Sequence, residues 1–99
     1  ERVFLFSVLA DKDYTQMVHT LFRSDDYVIC APAPTPRSAD PREIARILPC
    51  RADWASSLEA ALDQALQAVQ PAQVLCIVGS LYIQGDVRRH LRDSWHVTL

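Results

Sequence analysis

Apolar residues along the chain follow two rhythms. Residues 3–10 (VFLFSVLA), 27–31 (YVICA) and 74–78 (VLCIV) are almost unbroken apolar runs, rich in β-branched and aromatic side chains. Runs this short suit strands better than helices, and runs apolar on both faces suit a parallel sheet covered on both sides. The run at 74–78 has no polar break and predicts a strand at the centre of the sheet. Between the runs the spacing changes. Tyr14, Met17, Val18, Leu21 and Phe22 recur on one helical face, as do Leu58, Ala61, Leu62, Ala65, Leu66 and Val69, and then Ile83, Val87 and Leu91. The stripe from Leu58 to Val69 is the clearest of these and predicts burial of Leu62 and Leu66.

The boundaries carry their own signals. Asp13 with Gln16 three residues on marks a helix start. Asp40-Pro41-Arg42-Glu43 is a stronger one, with Asp as cap and Pro at the first helical position. That helix runs to about Leu48 and Pro49 ends it. Ser56 and Glu59 fit a capping box for the long stripe, and Gln70-Pro71 stops it. Residues 50–53 are expected to hold a very short edge strand, and residues 95–99 an edge strand or a tail. Strand, helix, strand with a helix of about ten residues is a βαβ unit, which makes the strands parallel. The expected fold class is α/β: a small three-layer domain with a mostly parallel sheet and helices on both faces.

Composition narrows the function. A net charge of −2 argues against a general nucleic-acid or anionic-membrane binder. No apolar run approaches the roughly 20 residues of a membrane span, and no signal peptide is legible. Cys30, Cys50 and Cys76 are an odd set with no zinc spacing, and two fall in predicted strands. They fit a reduced, cytoplasmic protein better than a disulfide framework. The chain begins at Glu1 and enters a strand almost at once, so residues 1–99 are expected to be a single domain cut from a longer protein.

In a parallel sheet the strands run into turns on one edge, where α/β folds place their ligand sites. Three polar turns converge there: Asp11-Lys12-Asp13, Pro34-Thr35-Pro36-Arg37 and Gly79-Ser80. Asp13 reads as a helix cap, while Asp11 and Lys12 lie just outside the helix and are free to contact a ligand or metal. Arg37, presented by a stiff proline segment, suits a carboxylate or phosphate clamp. Gly79 lets the backbone turn or come close to something. Ser80 caps the next helix, whose backbone N–H groups can bind an anion. Asp-Lys-Asp-Tyr-Thr after a strand also resembles the nucleophile motif of haloacid-dehalogenase-type phosphatases, with Asp11 as nucleophile and Mg²⁺ held by the two carboxylates. The later carboxylate pair of that family has no counterpart here. His19, His90 and His96 show no metal spacing, and Arg88, Arg89 and Arg92 read as a solvated helix face.

Taken in order, VFLFSVLADKDYTQMV, APAPTPRSADPREIA, LEAALDQAL and VLCIVGSLYIQGDVR resemble the C-terminal domain of folylpolyglutamate synthase and dihydrofolate synthase, in the Mur ligase superfamily. The most specific pieces are Asp11-Lys12-Asp13 after its strand, Pro36-Arg37, and Gly79-Ser80-Leu81-Tyr82 with Gly85. The resemblance implies a Rossmann-like domain of an ATP-dependent ligase. That ligase uses ATP and Mg²⁺ to phosphorylate a folate carboxyl, and the amine of L-glutamate attacks the acyl phosphate to form an amide. It implies substrate-binding roles for Ser80, Arg37 and Lys12. Asp11, Asp13, Gly79 and Tyr82 are further loop candidates. No metal ligand or catalytic residue is assigned within the chain.

The sequence departs from the family pattern in two places. It has no G-x-x-x-x-G-K-[ST] phosphate loop, its only lysine being Lys12, and it lacks the Asp-Gly-Ala-His-Asn segment that opens the domain. The expected partners are therefore L-glutamate, folate and an ATPase domain outside these residues. The chain alone should be inactive, within a full-length enzyme that is monomeric and binds neither nucleic acid nor membrane. Two alternatives stand beside this reading. One is a small Mg-dependent phosphatase using Asp11; the other is a non-enzymatic α/β interaction module.

Overall fold

The computed structural model describes residues 2–79 and 84–95. Four strands, β1 (Val3–Ser7), β2 (Tyr27–Cys30), β3 (Arg51–Trp54) and β4 (Leu75–Gly79), form one sheet in the order β3-β2-β1-β4. Every neighbouring pair is parallel. Leu5 stands opposite Ile29 on one side and Ile77 on the other, and Ile29 opposite Asp53. Four helices, α1 (Tyr14–Leu21), α2 (Pro41–Ile47), α3 (Leu58–Ala68) and α4 (Gln84–Ser94), alternate with the strands. The expected α/β, three-layer parallel architecture is the one observed.

The period of two along β1 divides the core into two layers. Val3 and Leu5 join Tyr27 and Ile29 beneath α3, where Leu58, Ala61, Leu62 and Ala65 close the layer with Val87 of α4. Phe4 and Phe6 face the other way with Val28 and Cys30, covered by Val18, Phe22 and Ile44 from α1, the residue after it and α2. Phe22 meets both phenylalanines edge-on, at ring-centre distances of 5.0 and 5.4 Å. That arrangement suits the ring quadrupoles.

The helix starts follow local chemistry. Asp13 caps α1 by accepting from the Gln16 N–H, and Asp40 caps α2 by accepting from the Arg42 N–H, with Pro41 in the first turn. The cap of α3 is Ser57, not Ser56. Its hydroxyl accepts from the Ala60 N–H, and Glu59 falls in the first turn, where its charge suits the helix dipole.

Four further expectations are adjusted. The run at 74–78 was expected at the sheet centre, but β4 is the outermost of the described strands on its side. Its residues Leu75–Val78 are only half-buried; β1 takes the central place. β1 also stops at Ser7. Val8 and Leu9 leave the ladder because the segment after β2 crosses them, with the Ala39 N–H donating to the Val8 carbonyl at 2.9 Å and Leu9 bridging Ser38 antiparallel. Leu62 is fully buried, but Leu66 only packs against the edge of the core. The short strand expected at 50–53 is β3, at 51–54. Of the segment expected as a strand or tail at 95–99, residues 96–99 lie outside the described residues. Among the described residues, no helix is long and apolar enough to cross a membrane.

At the opposite edge from the polar turns, a buried carboxylate ties β1 to β2. Asp26 is 1% exposed and takes both Arg2 Nε and Arg2 Nη2, at 2.8 and 2.7 Å, and also the Arg23 backbone N–H at 2.8 Å. The Arg2 hydrogen bonds hold its carboxyl below the usual carboxylate range, although burial opposes them. A folded-state pKa below the unfolded one adds stability at neutral pH, and that stability is lost as pH falls through the folded value.

Two stability measurements follow from this packing. Leu62→Ala should cost about 2–5 kcal/mol, and Leu66→Ala clearly less, as read from denaturant midpoints. Asp26→Asn should cost about 1.5–3 kcal/mol at pH 7. Its deficit against wild type should shrink as pH falls below about 4, where the carboxylate of the unfolded chain takes up a proton, and go as pH falls through the lower folded value. An Asp26→Asn deficit that stays constant from pH 7 to pH 2 would show that the carboxylate's charge contributes nothing.

Candidate functional site

The carboxyl ends of β1 and β2 carry the first two polar turns, and β4 ends at Gly79 on the same edge, as parallel pairing requires. The first two turns are laced together by backbone. The Ala10 N–H donates to the Arg37 carbonyl at 2.7 Å, and the Ala39 N–H to the Val8 carbonyl. The β2–α2 segment is also braced internally. Ser38 Oγ accepts from the Ala33 N–H at 2.8 Å and donates to the Ala39 carbonyl, while the Ser38 N–H donates to the Thr35 carbonyl. Pro32, Pro34 and Pro36 lack N–H groups and have restricted φ, so the segment serves as a stiff arm with Arg37 at its tip.

That arm brings Arg37 onto Asp11. Arg37 Nη2 donates to Asp11 Oδ2 at 2.7 Å, both side chains being more than half exposed. The Arg37 hydrogen bond, aided by the charges of Arg37 and Lys12 and opposed by some desolvation, lowers the Asp11 pKa from its ordinary value. Lys12 is exposed at the same turn. Two cations, Arg37 and Lys12, and the Asp11 carboxylate therefore share this flank of the edge.

Asp13 turns the other way. It caps α1 and borders an open concavity of about 560 Å³ between α1 and the end of β4, lined also by Gln16, Met17, Thr20 and Gly79. Order in the sheet explains the split, because β1 lies between β2 and β4. Its turn sends Asp11 toward Arg37 on one flank and Asp13 toward Gly79 on the other. Asp11 and Asp13 have different partners, the Arg37 guanidinium for one and the Gln16 N–H for the other. Among the described residues no group of three or more Asp, Glu, His or Cys could hold a metal ion.

Gly79 stands opposite Ser7 with φ +117°, a region that side chains disfavour. A Cβ there would overlap the Ser7 carbonyl oxygen. Ser7 is itself fully buried, and its hydroxyl has no partner among the described residues. The end of β4 therefore lies too close to the β1 backbone to take a side chain at position 79. Ser80 and Tyr82, both expected at this site, lie outside the described residues.

Some polar contacts had no sequence signal. Asp63 on α3 accepts from Trp95 Nε1 at 2.7 Å and meets His90 Nε2 at 2.6 Å, tying α4 and the residue after it to α3. Trp95 first, then His90, holds its carboxyl below the usual range. His90 stands 27 residues from Asp63, so only the packing of the two helices brings them together. Tyr27, buried, gives its hydroxyl to Asp53 and lies under the Arg51 guanidinium at 4.0 Å. Burial, then Asp53, pushes its phenol pKa up. His19 is exposed, and so are Arg88, Arg89 and Arg92. Cys30 is buried, and burial pushes its thiol up to about 12, which leaves it inert as a nucleophile.

A family model described as "Mur ligase, glutamate ligase domain" matches residues 1–81. Comparison with curated protein sequences gives no significant match. Among solved structures, the bifunctional folylpolyglutamate synthase/dihydrofolate synthase of Yersinia pestis superposes twice at 26% identity over 97% of this chain. The TM-score is 0.69 for its complex with AMPPNP and Mn ion and 0.70 for the second structure. Folylpolyglutamate synthase of Mycobacterium tuberculosis, complexed with ADP and AMPPCP, shares the fold at 23% identity over 92% of this chain, with a TM-score of 0.65. The chain spans 22–23% of the length of these structures.

The approach at Gly79 yields a direct test. Gly79→Ala should destabilise the domain by about 3 kcal/mol, from the positive φ and the overlap with Ser7 together. Gly85→Ala serves as the control, since a Cβ at Gly85 meets nothing within 4 Å; it should be neutral or slightly stabilising in thermal unfolding.

Proposed function

Because the chain belongs to the family of Mur ligase glutamate ligase domains, we propose that it is the C-terminal substrate-binding domain of an ATP-dependent amide-forming ligase that adds L-glutamate to folates. The observation that carries the reading is the meeting of the Asp11-Lys12-Asp13 and Pro36-Arg37 turns, which places two cations on one sheet edge. Folylpolyglutamate synthase is also what the superposed Yersinia pestis enzyme is named for.

In this reading glutamate brings two carboxylates and one ammonium, and the carboxylates need cations to hold them. Arg37, on its stiff arm, binds one carboxylate through paired N–H groups. Lys12, a compact charge on a flexible stem, adds attraction without fixing geometry. β4 ends at Gly79 on the far side of β1, and Ser80, next in sequence, is the residue this reading assigns to the incoming amino acid. The binding contribution of this domain is to fix the amine where it can attack an activated carboxyl, which turns an encounter between two molecules into a step within one complex. ATP with a divalent cation supplies the activation. The described residues offer neither a phosphate loop nor a metal cluster, so that part of the site belongs to the rest of the enzyme. The domain alone is inactive, and the whole enzyme works in the cytoplasm.

In the full-length enzyme, Arg37→Ala, Lys12→Ala and Ser80→Ala should each lower kcat/KM for glutamate by about 10- to 150-fold, the worth of one charge-assisted hydrogen bond. Residues 1–99 alone, given Mg-ATP, a folate and glutamate, should release no ADP. Wild-type kinetics in all three variants at subsaturating glutamate would overturn the reading. A magnesium-dependent phosphatase activity of residues 1–99, lost in Asp11→Asn, would replace it with a phosphatase.

A further inference from the structure

Asp11 and Arg37 come from turns 26 residues apart in sequence. Backbone bonds on either side of the pair, Ala10 to Arg37 and Ala39 to Val8, set the separation of the two turns. An ion pair this exposed adds little to stability, so stability does not account for it. Its geometry has another consequence. Asp11 engages Arg37 through Nη2 alone, and Nε and Nη1 have no partner among the described residues. The guanidinium is planar and rigid, so fixing one nitrogen on a braced backbone orients the remaining N–H groups.

We propose that Asp11 is a positioning residue for substrate binding. It holds the Arg37 guanidinium, across the seam between the β1–α1 and β2–α2 turns, so that its remaining N–H groups, the second N–H of Nη2 among them, present a ready fork to a substrate carboxylate. This rests on Arg37 binding the carboxylate of the amino-acid substrate, as proposed above. Without Asp11 the long arginine side chain samples many rotamers, and ordering it falls to the binding step. The carboxylate of Asp11 stays ionised and makes no bond to the reacting atoms.

The test is steady-state kinetics of the full-length ligase with glutamate varied and Mg-ATP and folate saturating. Asp11→Asn should raise KM for glutamate about tenfold and leave kcat within about twofold, because ground state and transition state lose the same oriented contact. Asp11→Glu, which keeps the charge, should recover most of that loss. In the double variant with Arg37→Ala, replacing Asp11 should add nothing further, since a residue that acts only through Arg37 has nothing left to position. An Asp11→Asn enzyme with wild-type or lowered KM, while Arg37→Ala raises KM, overturns the positioning role and leaves Arg37 as the carboxylate ligand. An Asp11→Asn effect that persists at full size in the Arg37→Ala background also overturns it. A wild-type KM for Arg37→Ala removes the carboxylate assignment itself, and the positioning role with it.

Discussion

Parallel pairing of β1 with both β2 and β4 is the constraint from which the rest of the domain follows. A chain that returns parallel to itself must cross a face of the sheet between strands, and here each described return carries a helix. Helices on both faces then demand that β1 be apolar on both faces, and each of its five residues is buried. The same constraint sends every strand out at one edge. The polar turns meet there because no other edge receives strand ends, whatever their own affinities for one another. Asp26 with Arg2 secures the opposite edge, so the two ends of β1 differ in kind: one is a closed ion pair, the other an open array of charge.

At the open edge the balance of charges matters more than their number. Asp11 neutralises part of the field of Arg37 and Lys12 but also orients it. A lone exposed arginine would be a stronger attractor and a poorer template. The stiffness comes from backbone. Proline restricts the arm, and the antiparallel bridge between Leu9 and Ser38 fastens it to the end of β1. On the other flank the close approach of Gly79 to Ser7 brings the end of β4 level with the end of β1, beside Asp13 and the concavity under α1. A site assembled this way has stiff walls on this domain.

Much of this was legible from residue spacing. The almost unbroken apolar runs at 3–10, 27–31 and 74–78 identified the strands, because a strand covered by helices has little place for polar residues. Asp13 and Asp40 marked helix starts because a cap bonds an N–H two or three residues away, a distance the sequence records directly. The ordering of the turns also put Lys12 and Arg37 on one edge, since parallel topology alone dictates it. The family resemblance rested on the same turns.

Tertiary structure decided what depends on neighbours distant in sequence. A strand's apolar run does not say whether one or two strands flank it, and so β4 was expected at the centre and stands outermost among the described strands. Ser56 and Ser57 are chemically equal as caps, and the packing of Leu58 against the sheet selected Ser57. Leu66 shares the stripe of Leu62 but sits at the rim, because helical periodicity defines a direction and not the extent of what lies beneath it. The junctions of Asp63 with His90 and Trp95, of Tyr27 with Asp53, and of Asp11 with Arg37 join residues 26 to 32 positions apart. Sequence determined which groups were available for such contacts; only the folded sheet and its helices set which of them touch, because a side-chain hydrogen bond reaches about 3 Å and only the fold brings distant residues within that range.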